Sequence, residues 1–460
     1  MSRNGWAVLA ALALALMQGL AAARVELTFD EAYYALWARW PQAGYFDHPP
    51  LVAWTIAASQ ALFGANEFGV RALFWLEGAS LPALVGWIGW RLYGEAAAPA
   101  LIFVGAPLLA GAPLATPDAP LTFFWTLALL GLVEVWRGHP RAWGLVGLAA
   151  GSAALAKMTA GFLALGVALA LVVTPSLRRE WRRAGPWIAA ALALAVASPF
   201  LIWNAAHAWA TFRKQGGRLA APRFAPGYLG EFVGAQIGLF NPLSAGAALW
   251  GAFRAPSLVT GEGRVGEPTR LLLATVAPAL IYFTLHALHD RVQGNWPAPL
   301  YPALALLAAR VAPRWLSGAA AALGLAVVAA VYLHLAFAWP PLGPADPALR
   351  IGGWRDLAAQ VFAVATERKA RFVLAEGYAA TSLLTFYGPG FPEVAELGEP
   401  ERWTFRPPVN VAGAGLAFGR TDMAEALDRD HFRATPVATL RRRVGGVELE
   451  SYTLFAVEER

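Results

Sequence analysis

The stretch Thr28-Phe29-Asp30-Glu31-Ala32-Tyr33-Tyr34, followed by Gly44-Tyr45-Phe46-Asp47-His48-Pro49-Pro50, decides how this chain is read. It lies between two apolar runs, one ending near Ala23 and the next beginning near Phe68. Ionisable groups and tyrosines this dense between apolar runs need a reason, because charge near a bilayer is expensive and usually functional. The stretch is expected to be a catalytic loop at a membrane surface.

Outward from it the chain is apolar. Its 460 residues are 58% hydrophobic and 14% charged, against about 25% charged in an ordinary soluble protein. The apolar runs recur at lengths that cross a hydrocarbon core of roughly 30 Å. A polytopic α-helical membrane protein is expected. The formal charge of +6 comes from arginines in short loops, where they set orientation, and it marks no nucleic-acid surface. Cysteine is absent, which excludes disulfides and thiolate metal sites. Lysine occurs only as Lys157, Lys214 and Lys369.

Candidate spans alternate with short loops at 6–23, 68–90, 97–113, 119–136, 186–203, 228–250, 271–288, 296–311 and 316–338. The first also fits a cleavable signal peptide, but retaining it closes the topology consistently. Between the first two spans, in a loop over 24–67, Leu51–Phe63 is apolar yet too short to cross, which suggests an interfacial or re-entrant helix. The run 142–174 would reach roughly 50 Å as one helix. Two short spans with Lys157 at the outer turn resolve both its length and its buried charge. The expected total is about eleven spans, with the N-terminus inside and the C-terminus outside. Basic clusters at 137–141, 178–183, 254–270 and 310–314 then share one side, and the acids at 30–31, 47 and 118 share the other. The basic loop 205–227 falls on the acidic side, which an anionic ligand would explain.

The composition changes near Trp339, where Pro340-Pro341-Leu342-Gly343-Pro344 reads as a linker. Beyond it, Trp354–Arg368 has helical periodicity, and Arg371–Ala375 and Val411-Ala412 look like strands. The expected domains are a membrane catalytic domain over 1–338 and a small extramembrane α/β domain over 339–460.

Each polar motif has a bland alternative. Asp30-Glu31 fits the first turn of a helix, where acids favour the dipole; alternatively a carboxylate there deprotonates an acceptor hydroxyl. Asp47 and His48 are held by two prolines and also fit a simple polar turn. Asp118 after Thr116-Pro117 fits a helix cap. Lys157 is either a snorkelling surface cation or a partner for phosphate or carboxylate. Asn204 and Asn295 neighbour tryptophans at span ends, where an interfacial belt is the default. Nucleotide-binding and nucleophile-elbow motifs are absent, so an activated substrate would arrive on a lipid carrier.

Taken together, these motifs resemble the bacterial membrane glycosyltransferases of the GT-C fold, in the family 39-like branch of protein O-mannosyltransferases and aminoarabinose transferases. The matching segments are Asp30-Glu31-Ala32-Tyr33-Tyr34, Gly44–Trp54, Thr116-Pro117-Asp118-Ala119-Pro120-Leu121, Ala156-Lys157-Met158-Thr159-Ala160, Ile202-Trp203-Asn204, Asn295-Trp296-Pro297-Ala298-Pro299 and Thr385-Phe386-Tyr387. The resemblance implies an inverting transfer of sugar from a polyprenyl-phosphate donor to an envelope acceptor, at the periplasmic face of the bacterial inner membrane. It implies Asp30 as base, Glu31 orienting it, and Asp118 as a second acid. Tyr34, Tyr45, His48 and Arg218 lie where the family binds donor phosphate, with Lys157 a further candidate; the aminoarabinose transferase has lysine at the place of His48. Asp47, Asn204 and Asn295 are assigned to acceptor binding or support. A divalent metal is left open, with Asp30, Glu31, Asp47, His48 and Asp118 as its oxygen-rich candidates. The competing function is a transporter or flippase for a lipid-linked sugar, although internal repeats and midplane breaks are not evident in the sequence.

Overall fold

A computed structural model describes residues 2–217, 224–259, 266–337, 340, 342–343, 346, 348–420, 423–424, 427 and 431–459. The helices are α1 (Arg3–Arg24), α2 (Phe29–Arg39), α3 (Leu51–Phe63), α4 (Glu67–Tyr93), α5 (Ala97–Val104), α6 (Asp118–Trp136), α7 (Trp143–Ala156), α8 (Gly161–Val173), α9 (Ala184–Ala206), α10 (Ala210–Gly217), α11 (Gly227–Phe240), α12 (Pro242–Val259), α13 (Glu267–His286), α14 (Tyr301–Val311) and α15 (Arg314–Phe337). Among the described residues, six of these are long and apolar enough to cross a membrane, or seven if α11 and α12 form one broken span. The chain is therefore a multi-pass membrane protein. Of the remaining crossings expected from the sequence, two fall on the shorter apolar helices Met158–Val173 and Ala298–Val311, while Leu51–Phe63, expected as too short to cross, is a third such helix.

The chain forms two compact units. The first holds residues 1–20, 47–52 and 73–330, and the second holds 21–46, 53–72 and 331–460. In the first unit most helix bounds fall close to the hydrophobic runs, with two exceptions. The span expected over 97–113 is an eight-residue helix, α5, followed by a 3-10 turn at Pro107–Gly111. Pro107 forces Ala106 into an extended conformation, which ends the helix. The span expected over 228–250 is bent by 105°. The break is at Asn241, just before Pro242, with φ +79°. Its side-chain amide donates to the carbonyls of Gly105 and Ala320 at 3.1 and 3.0 Å, which ties the break to the end of α5 and to α15.

Close helix contact in this unit relies on small residues. A methyl group at Gly147 would lie 2.5 Å from the Ala189 carbonyl oxygen, and one at Gly151 would lie 2.8 Å from that of Ala193. These glycines are four apart on α7, so they form one smooth stripe against α9.

In the second unit, α16 (Trp354–Glu367) and α17 (Gly377–Tyr387) pack on a five-stranded sheet. The strands are β1 (Phe372–Glu376), β2 (Glu393–Leu397), β3 (Ala414–Gly419), β4 (Phe432–Val444) and β5 (Val447–Glu459). The order is β2-β1-β3-β5-β4. Strands β1, β2 and β3 are parallel, while β3–β5 and β5–β4 are antiparallel. Phe372, Leu374, Ala417, Phe432, Phe455 and Val457 form its core. The strand expected at Val411-Ala412 begins instead at Ala414, after Gly413 turns the chain with φ +89°.

Candidate active site

Helix α2 belongs to the second unit, and its N-terminus is built by the sequence around it. Thr28 caps the helix by accepting from the Glu31 N–H at 3.3 Å. Glu31 Oε2 returns the bond by accepting from the Thr28 N–H at 3.0 Å, a reciprocal capping box. Pro41, two residues past Arg39, prevents continuation at the other end. Residues Glu31 to Ala38 are buried without interruption. One flank of α2 packs on α17, and Tyr33 and Trp37 make edge contacts with Phe405, at 6.2 and 6.4 Å between ring centres.

Arg71 holds this N-terminus in place. Its Nε and Nη2 each donate to Glu31 at 2.6 Å, a two-pronged pair with both side chains at most 1% exposed. Its remaining donors reach the carbonyls of Val25 at 2.6 Å and Glu26 at 2.9 Å. One guanidinium therefore satisfies two main-chain carbonyls of the segment joining α1 to α2 and the carboxylate in the first turn of α2. Sequence reasoning did not single out Arg71. The signal was there, since it is a cation near the start of an apolar run, the same pattern that marked Lys157.

Asp30 precedes Glu31 and is only half-buried. The Tyr378 hydroxyl, on α17, donates to Asp30 Oδ1 at 3.3 Å. The Tyr378 ring is packed edge-on against Phe29 and Tyr33, and the Arg402 guanidinium lies 4.4 Å over it. Tyr378 and Arg402 come from beyond residue 338 and were not expected near the first loop; nothing in their local sequence marks them.

Tyr34 is buried against Trp37. Tyr45 is buried too, its ring stacked on Trp37 at 4.2 Å. The Tyr45 hydroxyl accepts from the Gln42 N–H at 3.0 Å and lies 3.2 Å from the Trp37 and Trp40 carbonyls. Burial pushes its pKa up to about 12, against the pull of the Gln42 N–H. Main-chain groups thus occupy the hydroxyl that the sequence suggested for donor phosphate.

The first unit brings together three segments that the sequence marked separately. Asp118 opens α6, Lys157 sits between α7 and α8, and Asn295 lies between α13 and α14. Lys157 Nζ donates to Asp118 Oδ1 at 2.7 Å, and Asn295 Nδ2 donates to Oδ2 at 2.8 Å. Lys157 also lies 5.8 Å over the Trp296 ring. The pair is 13% and 12% exposed. Lys157 is extended, with φ −156° and ψ 142°, so the expected turn in the run 142–174 is real, and Asp118 is the reason its charge is tolerated.

Asn204 is fully buried and closes the turn after α9. It donates to the Phe200 carbonyl at 3.1 Å and accepts from the Thr211 N–H at 3.3 Å. Asp47 is buried, and its backbone carbonyl accepts from Gln215 at 2.7 Å. His48 is half-buried and belongs with Asp47 to the first unit. Arg218 lies outside the described residues. Among the described residues, no group of three or more His, Cys, Asp or Glu side chains is arranged to hold a metal ion.

Residues 47–203 match the family described as dolichyl-phosphate-mannose-protein mannosyltransferase. The lipid A galacturonosyltransferase RgtD of Rhizobium johnstonii is 28% identical over 74% of this chain and 72% of its own length. An undecaprenyl phosphate-alpha-4-amino-4-deoxy-L-arabinose arabinosyl transferase of Pseudomonas savastanoi is 32% identical, over only 34% of this chain and 31% of that protein. ArnT from Cupriavidus metallidurans, solved in the apo state and bound to undecaprenyl phosphate, superposes with a TM-score of 0.68 in both cases. Those matches cover 99% of this chain and 98% of ArnT, at 17% and 16% identity. At that identity the likeness establishes the fold.

Proposed function

We propose that this chain, a GT-C-fold glycosyltransferase related to the aminoarabinose transferases, uses Asp30 to activate the hydroxyl of a lipid acceptor. The donor is a sugar carried on polyprenyl phosphate. The observation that carries this reading is the contrast within one dipeptide. Glu31 is committed to Arg71 and the helix cap, whereas Asp30 stands beside it with a half-exposed carboxylate.

In the proposed reaction Asp30 takes the proton of the acceptor hydroxyl as its oxygen attacks the anomeric carbon. The bond from that carbon to the phosphate oxygen breaks, and the prenyl phosphate leaves as an anion. Attack opposite the leaving group inverts the anomeric centre. A phosphate leaving group needs positive charge or hydrogen bonds rather than a proton. Tyr34, His48 and Arg218 remain the proposed phosphate contacts. Tyr45 is reassigned to holding α2, because its hydroxyl is already engaged by main chain. Lys157 and Asn295 are assigned to fixing Asp118, and Asn204 to fixing its own turn. Asp47 keeps a supporting role.

The site is proposed to face the periplasm from the bacterial inner membrane, with residues 339–460 as the extramembrane domain. The segregation of basic and acidic loops supports that orientation. The lipid A of the galacturonosyltransferase relative is the first acceptor to try.

The test is Asp30→Asn in a transfer assay with an undecaprenyl-phosphate-linked sugar and lipid A. Loss of a general base lowers kcat by about 10²–10⁴-fold, and the thermal unfolding of the variant in detergent should match that of the parent. Full turnover by the folded variant would remove Asp30 from the mechanism.

A further inference from the structure

The second unit holds a cavity of about 60 Å³ lined by Arg39, Trp40, Thr385, Glu393, Val394 and Arg406, among others. A single water needs roughly 10–15 Å³ on this measure, so the space suits a compact polyatomic group. Two of its walls are guanidinium groups. Arg406 is preset: it lies 4.6 Å over the Trp403 ring, and its Nη2 donates to the Val394 carbonyl at 2.7 Å. Its other N–H groups make no hydrogen bond among the described residues. Arg39 ends α2 and makes no side-chain hydrogen bond among them either. Neither guanidinium has a carboxylate within ion-pair distance among the described residues, although Glu393 lines the same cavity.

Arg39 is exposed and Arg406 half-buried, so the two like charges stand at a cavity that water reaches, where they repel each other and the exposed Glu393 offsets them in part. Partial burial lowers the pKa of Arg406, the Glu393 and Glu396 charges oppose, and the Arg39 charge adds to the lowering. An anion with several oxygens would relieve that repulsion and use the planar N–H forks that guanidinium presents.

We infer that the cavity between Arg39 and Arg406 is a phosphate-binding site separate from the one where sugar is transferred. Nine residues separate Arg39 from Asp30, about two and a half turns at 3.6 residues per turn, so their side chains leave α2 on opposite faces. The site therefore does not depend on the assignment of Asp30 as base. The ligand chemistry is a phosphate group, carried by a lipid headgroup or free in solution. Glu393 is the counterweight that keeps affinity moderate.

The test uses the full chain and reads thermal unfolding in two arms. In the first, the detergent-solubilised protein is titrated with inorganic phosphate at constant ionic strength. In the second, it is placed in nanodiscs of phosphatidylglycerol or of phosphatidylcholine. Binding at a hundred times Kd stabilises by about 2.7 kcal/mol, which reads as an unfolding temperature raised by several degrees. A rise in either arm that Arg39→Gln abolishes and Glu393→Gln enlarges supports the site, and the responding arm identifies the source. Arg406→Gln should behave like Arg39→Gln, but Arg39 is the cleaner probe because it makes no structural hydrogen bond. If neither arm shows a rise, or Arg39→Gln leaves the rise intact, the site is refuted.

Discussion

Two ion pairs described among the candidate site residues, Glu31–Arg71 and Asp118–Lys157, differ in burial and construction. Glu31–Arg71 is at most 1% exposed, doubly bonded and surrounded by carbonyls that use the remaining donors. Asp118–Lys157 is 13% and 12% exposed, singly bonded, and formed where helices break. The first is a fastening whose partners have nowhere else to go. The second is more open, with both side chains partly within reach of water. The two pairs thus differ in what surrounds the charge: main-chain carbonyls at Glu31–Arg71, a second side chain, Asn295, at Asp118–Lys157.

The comparison can be broken most decisively at Arg71. Removing one partner of a buried pair leaves an unpaired charge and costs about 3–5 kcal/mol. Arg71→Met is expected to lower the unfolding temperature in detergent sharply or prevent folded protein from being recovered. Near-parental stability would mean that Glu31 is not held as the structure has it. Lys157→Met should cost less, about 1–3 kcal/mol, since Asn295 still serves one Asp118 oxygen and water can reach the other. Its loss in transfer activity should exceed its loss in stability, as measured by kcat beside thermal unfolding; equal and small effects on both would make the cluster merely structural.

The smallest effect is expected at Tyr45. Tyr45→Phe removes one hydroxyl hydrogen-bond set, worth about 1 kcal/mol, and should leave KM for the donor unchanged. A raised KM would restore the hydroxyl to the phosphate site. The variant also carries a pH signature. The folded pKa of Tyr45 is raised to about 12, above roughly 10 for a free tyrosine. Its contribution is therefore complete below pH 10 and declines as pH rises from 10 towards 12. In that window the parent should lose stability more steeply than Tyr45→Phe, measured as the difference between their unfolding curves.

Much of this architecture was readable from the chain. Leu51–Phe63 was expected as a short apolar helix, and the structure has it with those bounds. The break at Lys157 followed from two costs, a helix too long and a charge too deep, and the structure resolves both at one residue. The expectation failed where a proline acts on the residue before it: at Ala106 it ends a span early, and at Asn241 it bends one by 105°. Hydrophobicity averaged over a window does not register one backbone angle.

The sequence by itself determined that the chain is a membrane protein, because apolar length is a local property that a bilayer reads directly. It also marked Asp30, Asp118, Lys157 and Asn295, because polar groups beside apolar runs carry their cost wherever the chain goes. Only the tertiary structure decided what each side chain is bonded to. Arg71 binds Glu31 from 40 positions away, and Tyr378 reaches Asp30 from 348 away. Hydrogen-bond partners at such separations depend on how distant segments pack, and the spacing of residues along the chain does not encode that packing in readable form.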